Sequence, residues 1–402
     1  MIKRQSFVLM LFSICFVLNI QAQTTYSPYS MLGLGEIENR DYGRTSGMAN
    51  IGIGIRDFDY LNPSNPAGIS GLDSLKFIMD ISVSGKQSYF SGKGKTDGAF
   101  NGNLKKLALG FRLAPKWGIS LGIKPFSDVG YRIHSEEPID GSTSTKSVYL
   151  EGSGGLYELY LSNGIKITDN LSVGINTKYI SGTLKQTENQ AEYLFEKESQ
   201  VSQFYNTLGV QYHRKGWTIG ATYGYKQNIS MTNKTTIYDS EYNLVKDEKD
   251  RSTNQFIPET MGIGFSHDIK KIIWGMDFQY QRWSGLESGI GSAKIVDSYR
   301  VSAGFGYIPN SDSYYRIRNQ GQIQVGASLS KSYIKVGGEN AYNYSVTAGY
   351  SLPVSKGAQH LNFGFEYGNT LSAPASYIKE SYFMLTVNCT IFEQWFKRRK
   401  LD

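Results

Sequence analysis

Most of the chain beyond residue 75 obeys one rule. Apolar or aromatic residues alternate with Gly, Ser, Thr, Asn or a charge. In "WGISLGIKP", Ile119, Leu121 and Ile123 fall on one face, and Ser120, Gly122 and Lys124 on the other. In "LSVGINTKYI", Leu171, Val173, Ile175 and Tyr179 oppose Ser172, Gly174, Asn176 and Lys178. In "IIWGMDFQYQRW", Ile272, Trp274, Met276, Phe278 and Tyr280 oppose Gly275, Asp277, Gln279 and Gln281. A period of two is the signature of a strand with two unlike faces. It predicts strands over 75–93, 103–113, 117–134, 147–167, 171–187, 198–213, 216–236, 251–267, 271–284, 297–308, 322–337, 340–352, 359–370 and 377–393. No stretch of useful length has a helical period.

The length of these strands decides their setting. Strands in soluble sandwiches run about 5–6 residues, whereas a tilted strand of about 9–11 residues crosses a bilayer. Here one face is apolar and aromatic, and the other is small, polar or charged. In lipid every backbone N–H and C=O must find a partner, so such a sheet has to close on itself. The expected fold is all-β: a transmembrane antiparallel β-barrel of about fourteen strands. Tyr-rich strand ends suit the aromatic girdles at the two interfaces. Short turns such as "TDN" (168–170) and "RKG" (214–216) fit the periplasmic side, and "DSEYNLVKDEKDRST" (239–253) fits an outer loop or strand extensions above the membrane.

The N-terminal part breaks the rule. "NPSNPAGIS" (62–70) places two Asn-Pro pairs three residues apart, which suits neither helix nor strand. Non-repetitive backbone is tolerated at membrane depth only where protein or a lumen shields it from lipid. Residues 23–72 are therefore expected to form a hatch inside the barrel, followed by the barrel itself over 73–396 and a basic periplasmic tail over 397–402. Lys3, Arg4 and the apolar run Phe7–Ile20 have the form of a secretory signal peptide over residues 1–22, with cleavage expected between Ala22 and Gln23.

Composition sharpens this picture. There are 29 Tyr, 20 Phe and 44 Gly but only 10 Pro. Most of the net charge of +7 sits at the two ends, in Lys3, Arg4 and "KRRKLD", so the footprint of a nucleic-acid binder is missing. The part beyond the signal peptide has a single cysteine, Cys389, so stability has to come from packing and sheet closure.

Four segments, in order, resemble the FadL/TodX-type outer-membrane transporters of long-chain fatty acids and hydrophobic compounds. "YGRTSGMANIGIGIRDFDYLNPSNPAGISGL" (42–72) is similar to that family's N-terminal segment, with Asn65, Pro66 and Ala67 on its Asn-Pro-Ala motif. "GSGGLYELYLSNGIKITDNLSVGIN" (152–176) resembles its early strands. In 257–284, Pro258, Glu259, Asp277, Trp283 and Ser284 match a Pro-Glu strand start and an Asp-bearing strand ending in Trp-Ser. "YRVSAGFGYIPN" (299–310) resembles the Gly-rich strand that follows, and "SPYSMLGLGE" (27–36) is similar to paralogues in Bacteroidota-type bacteria. The resemblance implies a Gram-negative outer-membrane location among lipids and lipopolysaccharide. It implies passive uptake of a hydrophobic or amphipathic, fatty-acid-like small molecule, gated by the hatch. Some relatives are instead non-transporting barrel subunits of a protein secretion or assembly machine, so outer-membrane protein partners stand as the alternative.

Candidate chemistry is sparse. His134, His213, His267 and His360 have no companion at metal-ligand spacing, and no nucleophile elbow or phosphate loop is present. Neither enzyme activity nor a metal or other cofactor is expected. Lys124, Lys178 and Asp277 fall on the phase away from lipid, because a lipid-facing charge near mid-membrane costs about 2–4 kcal/mol. They are expected to face the lumen, pairing with each other or with the hatch. Arg282 falls on the outward phase near a strand end, where it can snorkel to the interface.

Overall fold

A computed structural model describes residues 27–92, 94–138, 145–190, 193–284, 294–309, 321–336, 338–354, 359–374 and 377–394. The expected signal cleavage at Ala22 and Gln23 and the basic tail lie outside the described residues.

The chain forms one closed antiparallel barrel of fourteen wall strands. In chain order these are β1 (Lys76–Gly92), β2 (Lys95–Ala114), β3 (Trp117–Pro138), β4 (Thr145–Lys166), β5 (Leu171–Gln190) and β6 (Tyr193–Arg214). β7 is broken into Trp217–Gly224 and Gln227–Asp239, and β8 into Leu244–Ile257 and Glu259–Ile269. β9 (Ile272–Arg282), β10 (Ser298–Tyr307), β11 (Gln322–Val336), β12 (Glu339–Val354), β13 (Gln359–Ser372) and β14 (Lys379–Gln394) complete the wall. Closure is made by β14 on β1, in register from Lys379↔Ser91 to Gln394↔Lys76. The outward positions carry exposed apolar side chains, such as Leu121, Leu161, Ile219, Phe278, Val325 and Leu385. That is the surface a bilayer requires, and the protein is an outer-membrane barrel.

The strands are longer than a bilayer crossing needs. β3 to β6 run 20–22 residues each. The excess stands on one side, at the end away from the tight turns. The charged stretch 239–253 belongs to this extension: Leu244–Ile257 pairs with Gln227–Asp239 over Leu244↔Tyr238 to Ile257↔Gln227. β2 begins eight residues before the alternation suggested, because "KTDGAFNG" has no apolar face to detect. β8 breaks at Pro258, a residue with no N–H for the ladder.

The N-terminal segment lies inside this wall. Its residues Leu32, Met48, Ile51, Ile53, Leu61, Asn65, Ala67, Ile69 and Leu72 are at most 3% exposed. Among its described residues, three short 3-10 turns, Pro28–Met31, Ser46–Met48 and Pro66–Gly71, are the only helical structure. Ala49 and Asn50 take consecutive left-handed conformations, at φ 55° and 57°. One two-residue piece, Glu36–Ile37, joins the wall directly. It pairs with β3 at Asp128 and Ser127. There β3 has lost its other neighbour, since the β2–β3 ladder stops at Leu107↔Ile123.

The buried contact between inner segment and wall

The inner segment meets the wall first through missing side chains. Wall glycines on the inward phase form an interrupted belt in register: Gly164 opposes Gly174 and Gly174 opposes Gly209. Around the barrel, Gly220 opposes Gly264, Gly304 opposes Gly326 and Gly349 opposes Gly364. A Cβ on Gly174 would sit 2.5 Å from the Ala67 nitrogen, one on Gly220 2.1 Å from the Ile53 carbonyl oxygen, and one on Gly326 2.5 Å from the Ala49 nitrogen. At Gly164, Gly174, Gly220, Gly326 and Gly349 backbone thus runs against backbone, while the side chains of Asn65, Asp277 and Ser46 fill the gap at Gly209, Gly264 and Gly364.

Backbone at such closeness must be satisfied, because an unpaired buried polar group costs about 1–3 kcal/mol. Wall side chains beside the belt do this. The Asp277 carboxylate accepts from the Gly52 and Ile53 N–H groups at 2.6 and 2.9 Å. Gln211 donates to the carbonyls of Ile53 and Ile55 at 3.0 and 3.1 Å. Thr347 accepts from the Ala49 N–H at 2.9 Å and donates to the Gly47 carbonyl at 2.8 Å. From the inner segment, Asn65 caps the Pro66–Gly71 turn by accepting from the Ala67 N–H at 3.1 Å. Its amide also donates to the carbonyls of Ile53 and of wall residue Val210. Pro66 lies against Gly164, Gly174 and Gly209. The Asn-Pro-Ala triplet is therefore where the segment presses on β4, β5 and β6.

Ion pairs add the second layer. Lys106 is fully buried, and its ammonium lies 2.9 Å from Asp41 and 2.7 Å from Asp80. It also donates to Tyr60 Oη and the Leu61 carbonyl, and Tyr60 donates a short hydrogen bond to Asp41. Asp80 in turn accepts from Asn388 and Thr390, both at 2.8 Å, so the node straddles the closing seam. Nearby, Arg40 pairs with Glu366 at 2.7 Å and Lys105 with Glu38 at 2.8 Å. Lys124 and Lys178 share Glu158, at 3.5 and 3.3 Å. Near the turn end, Arg44 binds Asp57 and Asp59 of its own segment at 2.9 and 2.8 Å.

Of the three charges expected on the lumen side, Lys124 and Lys178 thus meet at Glu158, and Asp277 holds the inner segment some strands away. Arg282 is 63% exposed and lies 3.7 Å from Glu259. The stronger node, Lys106 with Asp41 and Asp80, escapes a reading by alternation. A register shift between Ser82 and Val83 leaves Lys105 as an extra residue in β2, so two adjacent lysines are both buried. The detectable signal was "KK" inside an otherwise alternating strand: one of the pair had to break phase.

Charged side chains border clefts that remain in the lumen. A cleft of about 120 Å³ touches Glu38, Asp41, Lys124, Glu158 and Lys178. Another of about 260 Å³ is bordered by Arg40, Lys86, Arg300, Glu380 and Tyr382. Among the described residues no cluster of three or more His, Cys, Asp or Glu could hold a metal.

Solved structures share this architecture at low sequence identity. The toluene transporter TbuX of Ralstonia pickettii superposes with a TM-score of 0.62 at 14% identity, over 88% of this chain and 99% of its own. A FadL homologue of Pseudomonas aeruginosa gives 0.62 at 11%, over 90% and 100%. The P. putida toluene transporter TodX gives 0.61 at 12%, over 90% and 100%. The fold is therefore of the FadL/TodX type, as the four sequence segments suggested. No curated protein matches the sequence. The family model that matches has a different name from these channels: it spans residues 1–402, and the chain belongs to the BamG family.

Proposed function

We propose that this chain is a stoppered outer-membrane barrel that acts as a non-transporting subunit of a protein secretion or assembly machine. The observation that carries this reading is the belt contact, where segment and wall touch backbone to backbone and charged side chains border the clefts beside it. A hydrophobic solute in such clefts would have to displace water from Glu158, Lys178, Arg300 and Glu380. The barrel then offers partners its outer wall, its one-sided sheet extension and its periplasmic turns.

Native extraction in mild detergent, followed by mass spectrometry, tests the reading. Stoichiometric outer-membrane or periplasmic proteins are expected with the barrel. A monodisperse barrel that carries only lipid would sink it.

The second reading is passive uptake of a hydrophobic or amphipathic small molecule, with the inner segment as hatch. It is favoured by the transporters that share the fold and by the parting of β2 from β3 above Leu107↔Ile123. Uptake of hydrophobes by cells with and without the protein separates the two. Faster uptake with the protein supports the channel.

A further inference from the structure

The tight-turn end of the lumen holds cations that are not in direct ion pairs. Arg56 leaves the inner segment and donates to Ser172 Oγ at 3.0 Å and Ser70 Oγ at 3.1 Å. Both partners are neutral. Arg112 stands on the inward phase of β2, and its buried Nε has no hydrogen-bond partner. Lys166 stands on the inward phase of β4, opposite Ser172. The three charges lie within electrostatic reach of one another. His213 of β6 faces the same group and bonds Thr218 at 2.8 Å. Of the carboxylates on this end, Asp57 and Asp59 hold Arg44 and Asp73 holds Lys76; Asp169 and Asp73 act on Lys166 only at longer range, and Asp268 borders the same cleft as Arg56 without a salt bridge to it. Among the described residues, none of the three cations has an ion pair.

Like charges gathered without a counter-ion cost stability, so their arrangement calls for an anion from outside. Guanidinium forks suit carboxylates and phosphates alike. Two features choose between sources. The side chains face the lumen rather than the wall's outer surface, so bilayer headgroups do not reach them. The wall cations Arg112 on β2 and Lys166 on β4 are two strand spacings apart, about 10 Å along the wall, which is wider than one phosphate and suits successive acidic side chains of an extended segment.

We propose that Arg56, Arg112 and Lys166 form a docking site at the periplasmic mouth for an acidic, Asp/Glu-bearing peptide segment of a partner protein. This rests on the reading of the chain as a machine subunit. The exposed turn residues Lys116, Arg214, Lys215 and Lys270 extend the basic surface around the rim.

The test uses the full chain in nanodiscs of neutral lipid, with a fluorescein-labelled octaglutamate as probe and anisotropy as readout. Saturable binding is expected, weakened at least ten-fold by Arg56→Gln with Lys166→Gln and about three-fold by Lys166→Gln alone, which removes a partly exposed side chain. The outer-extension pair Lys234→Gln with Lys246→Gln should change nothing. A heat-dependent gel shift verifies that each variant is folded. Absent binding, or equal weakening by the outer pair, overturns the site. Displacement by millimolar phosphate at constant ionic strength reassigns it to a small anion, and displacement by phosphatidylglycerol in the disc reassigns it to a lipid headgroup. Either result also overturns the proposal. If partners co-purify with the native barrel but the peptide does not bind, the docking site falls and the subunit reading stands. The opposite pair of results removes the subunit reading alone.

Discussion

At the scale of single residues, Lys106 concentrates the most energy. It is buried between two carboxylates, one on the inner segment and one on β1. Removing one partner of a buried ionic group costs about 3–5 kcal/mol, because the other charges stay behind uncompensated. Lys106→Met is therefore expected to lower the temperature at which the folded form is lost on gels, and adding Asp41→Asn should recover part of it. The Arg44–Asp57 latch gives a pH expectation. Burial alone would raise the Asp57 pKa, but Arg44 outweighs it and the carboxyl stays below its usual range. A depressed carboxylate contributes stability above its ordinary pKa of about 3.9 and loses it as pH falls through the lower, folded value. Hydrogen-exchange protection around Arg44 and Asp57, corrected for the intrinsic pH dependence of amide exchange, should thus lose this contribution only below about pH 4. In Asp57→Asn that acid loss of protection should be blunted.

The glycine belt belongs to the scale of elements. Gly174→Leu would drive a side chain into Ala67 and Pro66, and Gly349→Val into Gly47. Both should loosen the inner segment and expose Arg44 and Arg56 to limited trypsin digestion. Gly98→Ala, whose Cβ would meet nothing nearer than 3.6 Å, should leave the digest unchanged. This scale also explains what the sequence could reveal. Strands with a lipid face were legible, because Leu121, Leu161 and Phe278 must alternate with something unlike lipid. The start of β2 and the extension over 239–253 were harder to read, since both faces there meet water and nothing enforces a period. Asp277 could be placed on a phase and Asn65 in the irregular inner segment, but their meeting with backbone at residues 52–53 and 67 depends on how that segment folds back. The belt was hidden because glycine on the inner phase reads as mere smallness until the backbone that fills the gap is known.

For the whole molecule, the inner segment and the closing seam are joined through one node, Asp80 with Lys106, Asn388 and Thr390. A barrel lacking residues 27–72 should therefore be both leaky and weaker: planar bilayers should carry stable ion current with the deletion and none with the full chain, and its gel-shift temperature should fall. The same connection bears on how the molecule is made. The segment is N-terminal to β1, the seam uses the last strand, and backbone-tight contact leaves no corridor for late insertion. The segment has to be lying in the cradle before β14 docks on β1. Biogenesis then resembles closing a cask around its contents, and a chain whose last strand pairs too early would be trapped as an empty ring.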